Sequence, residues 1–151
     1  MEREHIAKVV DIKIQCEPAA AVPEYADDGC SGADVFAHVG DDVRIGPGMV
    51  ALIPTGIRAE IPSGYEIQVR PRSGLALKNG ITVLNTPGTV DSSYRGEIGV
   101  ILVNHSSQEF IVKPNMKIAQ LVCTKVEKMN FLESTLSSTT RGEKGYGSTG
   151  L

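Results

Sequence analysis

Hydrophobic and polar residues alternate with a period of two along most of this chain. Val10, Ile12, Ile14 and Cys16 alternate with Asp11, Lys13 and Gln15, and Tyr65, Ile67 and Val69 alternate with Glu66, Gln68 and Arg70. Such alternation gives a strand one apolar face. Further strands are predicted over 33–38, 42–45, 49–54, 56–61, 81–84, 98–103, 109–112 and 117–126. Turn residues punctuate them: Gly46-Pro47-Gly48, Pro62-Ser63-Gly64, Asn79-Gly80 and Pro87-Gly88. Short strands between dense turn signals predict an all-β sandwich or barrel. Only Ser73 to Lys78, with Leu75, Ala76 and Leu77, has good helix formers, enough for a turn or two.

Two strands are apolar on both faces. Ile98, Val100 and Leu102 point one way and Gly99, Ile101 and Val103 the other; Ile118 and Val122 likewise oppose Ala119 and Leu121. A small sandwich has one interior, so the second apolar face predicts an oligomer. A central strand covered outside by a loop would give the same pattern. From Ser134 the period disappears, and Arg141 to Leu151 is glycine-rich. The pattern therefore divides the chain into a sandwich domain, 1–133, and a tail, 134–151, expected to be mobile when free.

Size and charge narrow the partners. A chain of 151 residues fits one domain with one core. Its net charge of −3 argues against a general nucleic-acid binder. A polyanionic ligand would need local positive groups, with a metal ion beside them. Cys16, Cys30 and Cys123 are odd in number and widely spaced, which fits reduced thiols better than disulfides or a zinc site. His5, His38 and His105 are isolated. The charged start and the absence of an apolar run of about eighteen residues lead to the expectation of a soluble, cytoplasmic protein with no membrane partner.

Candidate chemistry concentrates in Gly88-Thr-Val-Asp-Ser-Ser-Tyr-Arg-Gly-Glu97. Asp91 ends an apolar run, Ser92 and Ser93 form a turn, and Tyr94 and Arg95 follow before the next strand. A turn that only reversed the chain would be served by Asn-Gly or Asp-Gly. An acid, a phenol and a guanidinium together suit a pocket wall; an Asx turn, with Asp91 bonding its own backbone, suits the segment equally. Pro71-Arg72-Ser73-Gly74-Leu75-Ala76 follows a strand and opens the short helix. Ser73 is placed to cap that helix, whose free N–H groups attract phosphate, and Arg72 adds a forked cation. A cap plus a surface arginine is the plainer alternative. Gln120 is the polar break in Lys117-Ile-Ala-Gln-Leu-Val122, facing either an interface or a ligand, and Asp34 sits among small residues in Ser31-Gly-Ala-Asp-Val35. In the tail, Arg141 could pair with phosphate and Tyr146 could stack on a flat ring, between glycines that let backbone N–H groups approach an anion. Plain disorder is the alternative there.

Taken in order, these five segments resemble the motifs of the trimeric dUTP pyrophosphatases (dUTPases), from residue 31 to the C-terminus. The resemblance implies a distorted jelly-roll homotrimer whose three active sites each draw on all three subunits. It implies hydrolysis of dUTP to dUMP and pyrophosphate with Mg²⁺ on the triphosphate, keeping uracil out of DNA and supplying dUMP for thymidylate synthesis. Carried over by position, Asp91 would orient and deprotonate the attacking water and bond the sugar 3′-hydroxyl. An ordinary carboxylate, of pKa about 4, is a feeble base, so positioning and charge neutralisation must supply most of the acceleration. Arg72, Ser73, Gly74, Gln120 and Arg141 would supply these with the metal. Tyr94 would lie flat on the deoxyribose and exclude a 2′-hydroxyl, and Asn85 with backbone at Thr89, Val90 and Gly99 would read the uracil. Tyr146 would close over the base, Gly147 and Ser148 would wrap the phosphates, and Asp34 would act at most on the metal's water shell. Three positions depart from the usual family pattern: Lys144-Gly145-Tyr146 for Gly-Gly-Phe, Ala33 for a bulkier residue, and Gly99 for a longer one. The related dCTP deaminase would lack the pairing of Asp91 with Tyr94; a non-catalytic dUTP-binding signalling protein and a ligand-free structural jelly roll leave Asp91 or the tail unexplained.

Overall fold

A computed structural model describes residues 8–146. The strands are β1 (Lys13–Cys16), β2 (Ala33–Phe36), β3 (Val43–Ile45), β4 (Val50–Glu60), β5 (Tyr65–Arg70), β6 (Ile81–Val83), β7 (Gly88–Val90), β8 (Glu97–Asn104), β9 (Phe110–Val112) and β10 (Lys117–Lys125), with one helix, α1 (Ser73–Asn79), between β5 and β6. One antiparallel sheet has the order β1-β4-β8-β6 and another β2-β10-β5-β7, while β3 and β9 form a two-stranded pair. Both larger sheets feed one core: Ile53, Val100 and Leu102 from the first meet Val35, Val69 and Leu121 from the second. The result is the expected all-β sandwich of jelly-roll type.

The two strands predicted over 49–54 and 56–61 are one bent strand. Its register against β8 shifts between Pro54 and Arg58, around Gly56 at φ 69°. A side chain there would come within 2.7 Å of the Ala20 Cβ and 2.8 Å of the His38 ring, so only glycine fits both the backbone and the space. The Gly56 N–H finds its acceptor in Glu97 Oε1 at 2.7 Å, which ties the bend to the start of β8.

The doubly apolar strands lie at sheet centres. β8 runs between β4 and β6, and β10 between β2 and β5. Along β10 a register shift between Lys117 and Ala119 accompanies burial of the neighbours Ile118 and Ala119 on the core side. On the outer face of the first sheet, half-buried Ile101 is flanked by Leu52 and Leu84, 68% and 52% exposed, so no loop of the chain covers them. Fully buried Asn104 pins the β8–β9 connection: its amide donates to the carbonyls of Ile45 and Gln108, and its oxygen accepts from the N–H and hydroxyl of Ser106. All four of its hydrogen-bonding positions are filled, which is what makes a buried amide tolerable.

Candidate active site

Two clefts divide the candidate residues between them. The first, about 200 Å³, is lined by Val69, Asn85, Gly88, Thr89, Val90, Asp91, Tyr94, Glu97, Ile98 and Gly99. It opens where the chain crosses from β7, at the edge of one sheet, to β8, at the centre of the other. The segment is thus a passage between sheets rather than the paired hairpin expected from its turn residues. Val90 and Ile98 enter the common core from opposite layers, and the intervening residues must span the gap.

The turn at 91–94 closes through the backbone, with the Tyr94 N–H donating to the Asp91 carbonyl at 3.1 Å. The Asp91 carboxylate is exposed and makes no hydrogen bond among the described residues, so it does not form an Asx turn. It is left facing solvent at the cleft. Arg95 departs from the pocket-wall picture: it donates to the carbonyls of Ser92 at 2.7 Å and Tyr94 at 3.0 Å, bracing the turn from behind. Tyr94 folds over Gly96, and its phenol donates to the Glu97 carbonyl at 3.0 Å. A Cβ on Gly96 would stand 2.3 Å from the phenol oxygen, so the ring keeps this pose only above a bare backbone. Gly99 meets the cleft through its backbone, because a Cβ there would run into Leu52 at 2.7 Å.

The second cleft, about 240 Å³, is lined by Arg72, Ser73, Gly74, Leu75, Lys78, Asn79 and Gln120. Arg72, not Ser73, occupies the position before the first helical residue, and no side chain caps the helix. Ser73 is displaced into the first turn because Arg72 keeps an extended backbone, φ −90° and ψ 126°. The first backbone N–H groups of a helix have no partner within it, and here they belong to cleft-lining residues.

Behind this cleft lies an ion cluster. Asp34, on β2, has a side chain only 5% exposed, and its Oδ1 accepts from Arg72 Nε at 3.1 Å while its Oδ2 meets Lys117 Nζ at 3.0 Å. Gln120, facing Asp34 across the β2–β10 ladder, donates to the same Oδ1 at 3.3 Å. Lys117 also reaches Glu24 at 3.0 Å. Burial pushes the Asp34 carboxyl up, but hydrogen bonds from Lys117 and Gln120 and the charge of Arg72 outweigh it and hold the pKa below the ordinary 3.8. Glu24 first and then Asp34 raise Lys117 above its ordinary 10.5. The stability from Asp34 is therefore complete above the ordinary aspartate value and lost as pH falls through its lower folded value. That from Lys117 is complete below 10.5 and lost as pH rises through its higher folded value.

The tail residues join neither cleft within this chain. Residues 127–146 are exposed and carry no helix or strand. Arg141 Nε donates to the Lys144 carbonyl at 2.9 Å, and Tyr146 is fully exposed. Gly147 and Ser148 lie outside the described residues. The sequence reading overlooked Glu97, Lys117 and Glu24; Glu97 and Lys117 sit inside motifs it had quoted, whereas the polar stretch around Glu24 carries no pattern that marks it.

A β-sandwich with a nucleoside-sized cleft beside one acid, and a cationic cleft at a strand–helix junction, defines a class of nucleotide-handling jelly roll. The family model described as dUTPase matches residues 19–150, and the chain belongs to that family. The deoxyuridine 5′-triphosphate nucleotidohydrolase of Chlamydia muridarum is 57% identical over 136 residues, 89% of this chain and 94% of that protein. The one from Chlamydia pneumoniae is 53% identical over 138 residues, 90% of this chain and 95% of that protein. Among solved structures, a Staphylococcus bacteriophage 80alpha dUTPase bound to dUpNHpp has a TM-score of 0.80 at 22% identity, covering 95% of this chain and 100% of that one. A dUTPase from phage phi11 of S. aureus, whose description names a structural Mg(II) ion, has a TM-score of 0.77 at 19% identity, covering 86% of this chain and all of the other. These two likenesses bear on the fold alone.

Proposed function

We propose that this protein hydrolyses dUTP to dUMP and pyrophosphate by attack of water on the α-phosphorus, in sites shared between the subunits of a homotrimer. The observation that carries this reading is the separation of the two clefts. Asp91 and Tyr94 line one and Arg72, Ser73, Gly74 and Gln120 the other, with no lining residue in common. A second copy of the chain can bring its cationic cleft to the nucleoside cleft of the first. The exposed apolar face around Leu52, Ile101 and Leu84 supports such association.

In the assembled site the nucleoside cleft takes deoxyuridine, with Asn85 and the backbone at Thr89, Val90 and Gly99 against the uracil edge. Asp91 accepts a proton from the attacking water and a hydrogen bond from the 3′-hydroxyl. Arg72, Ser73, Gly74 and Gln120 hold the phosphates from the second subunit. Arg141, Tyr146, Gly147 and Ser148 come from the tail of the third, which folds as its own unit apart from the domain 1–133. Among the described residues no cluster of His, Cys, Asp or Glu could hold a metal ion. Magnesium therefore enters as part of the substrate, bound by phosphate oxygens and water as that hard cation prefers, and supplies charge neutralisation on the triphosphate. Among the described residues no helix is long and apolar enough to cross a membrane. That suits the cytoplasmic setting we assign to the protein, with dUTP rather than nucleic acid as its partner.

Complementation between mutants tests the shared site. Asp91→Asn and Arg72→Ala chains, each inactive alone, regain part of the wild-type rate when unfolded and refolded together, because mixed trimers contain sites that draw both intact residues from different chains. No recovery from mixed trimers would place both residues in one chain's site. A second substitution tests the sugar gate. Gly96→Ala pushes the Tyr94 ring off its seat, and the preference for dUTP over UTP, as a ratio of kcat/KM, drops at least about tenfold, the scale of one well-fitted contact. An unchanged ratio would remove Tyr94's pose from the discrimination.

A further inference from the structure

We infer that Asp34 is a positioning residue for phosphate binding: a buried carboxylate that clamps Arg72 by its Nε edge and so aims the rest of the guanidinium into the cationic cleft. The inference rests on the reading of Arg72 as a phosphate ligand and replaces a role for Asp34 in a metal's water shell. An ionised carboxylate has about four acceptor positions. Asp34 spends three of them inside the protein, on Arg72 Nε, Gln120 Nε2 and Lys117 Nζ. With its side chain 5% exposed, it presents little to a hydrated ion.

The guanidinium is held at two points. Nε is on Asp34 at 3.1 Å and Nη1 on the Lys117 carbonyl at 3.3 Å. Arginine has five N–H donors in a rigid plane, so fixing one edge leaves three and sets their direction. Nη2 makes no hydrogen bond among the described residues, and Arg72 lines the cleft. The anchors come from separate strands: Asp34 from β2 and Lys117 from β10, held in register by the ladder that pairs Gln120 with Asp34. Lys117 has a further task. Alone, one carboxylate would cancel much of the arginine's charge; with Lys117 against Oδ2 and Glu24 behind it, the carboxylate is shared and Arg72 keeps its attraction for an anion. Holding a long side chain before the ligand arrives removes an ordering cost at binding.

Three measurements on the full chain test this. In the wild type without nucleotide, the Arg72 Nε–Hε proton gives a resolved, slowly exchanging NMR signal, assigned by its loss in Arg72→Lys. Asp34→Asn abolishes that signal and weakens dUpNHpp about three- to tenfold, the cost of ordering one long side chain, while deoxyuridine, which has no phosphate, binds as before. The Mg²⁺ concentration giving half-maximal turnover stays within about twofold of wild type, whereas loss of a metal's outer-shell partner would raise it about 10–100-fold. A missing Nε–Hε signal in the wild type overturns the clamp even if the variant fails to fold. So does undiminished dUpNHpp affinity, or a raised Mg²⁺ requirement, in Asp34→Asn. Failure of the wild type to turn over dUTP would instead overturn the reading of the site, with the Arg72 signal still reporting on the clamp itself.

Discussion

Replacing Asp91 with asparagine leaves a folded protein that binds dUTP within about tenfold of wild type, a change of at most about 1.4 kcal/mol, while turnover falls by about 10²–10⁴-fold. The asymmetry follows from where the carboxylate sits. Asp91 is exposed at the cleft mouth, and the turn that carries it is closed by backbone and braced by Arg95. Nothing in the core depends on its charge. Asparagine keeps the size and an acceptor for the 3′-hydroxyl, so binding changes little; it cannot take a proton from water, so chemistry stops. Steady-state kinetics beside calorimetry with dUpNHpp separates the two. A variant with full activity would sink the assignment of Asp91 as base.

Truncation after Thr140 has the second large effect: kcat falls at least about 10²-fold, as expected for removal of a preorganised cation at developing charge. Thermal stability is unchanged, because residues 127–146 are exposed and add nothing to either sheet. The truncation removes Arg141 and Tyr146 together, and these join neither cleft within one chain. Their contribution depends on reaching another subunit's site. An unchanged kcat would make the tail a linker.

The sequence was most legible where structure is local. Alternation located β5, β8 and β10, and Leu75 to Lys78 marked α1. It was least legible where distant residues decide. A glycine between two apolar runs reads as a break, yet Gly56 is a bend within one strand, fixed by Ala20, His38 and Glu97 from elsewhere in the chain. The turn at 91–96 reads as a hairpin because sequence does not assign strands to sheets. Asp34 looked uninformative beside small residues, since its meaning lies in Arg72 and Lys117, 38 and 83 positions away (72 − 34 and 117 − 34). The motifs themselves pointed to one reaction, but the clefts show that their residues divide into two groups.

The most direct test is ³¹P NMR of the products formed in ¹⁸O-water, with dUTP, dCTP, dTTP and UTP each offered with Mg²⁺. The account predicts that only dUTP is consumed, that the products are dUMP and pyrophosphate, and that the ¹⁸O appears on dUMP, as attack at the α-phosphorus requires. Label in the pyrophosphate, consumption of UTP at a similar rate, or binding of dUTP without turnover would contradict it.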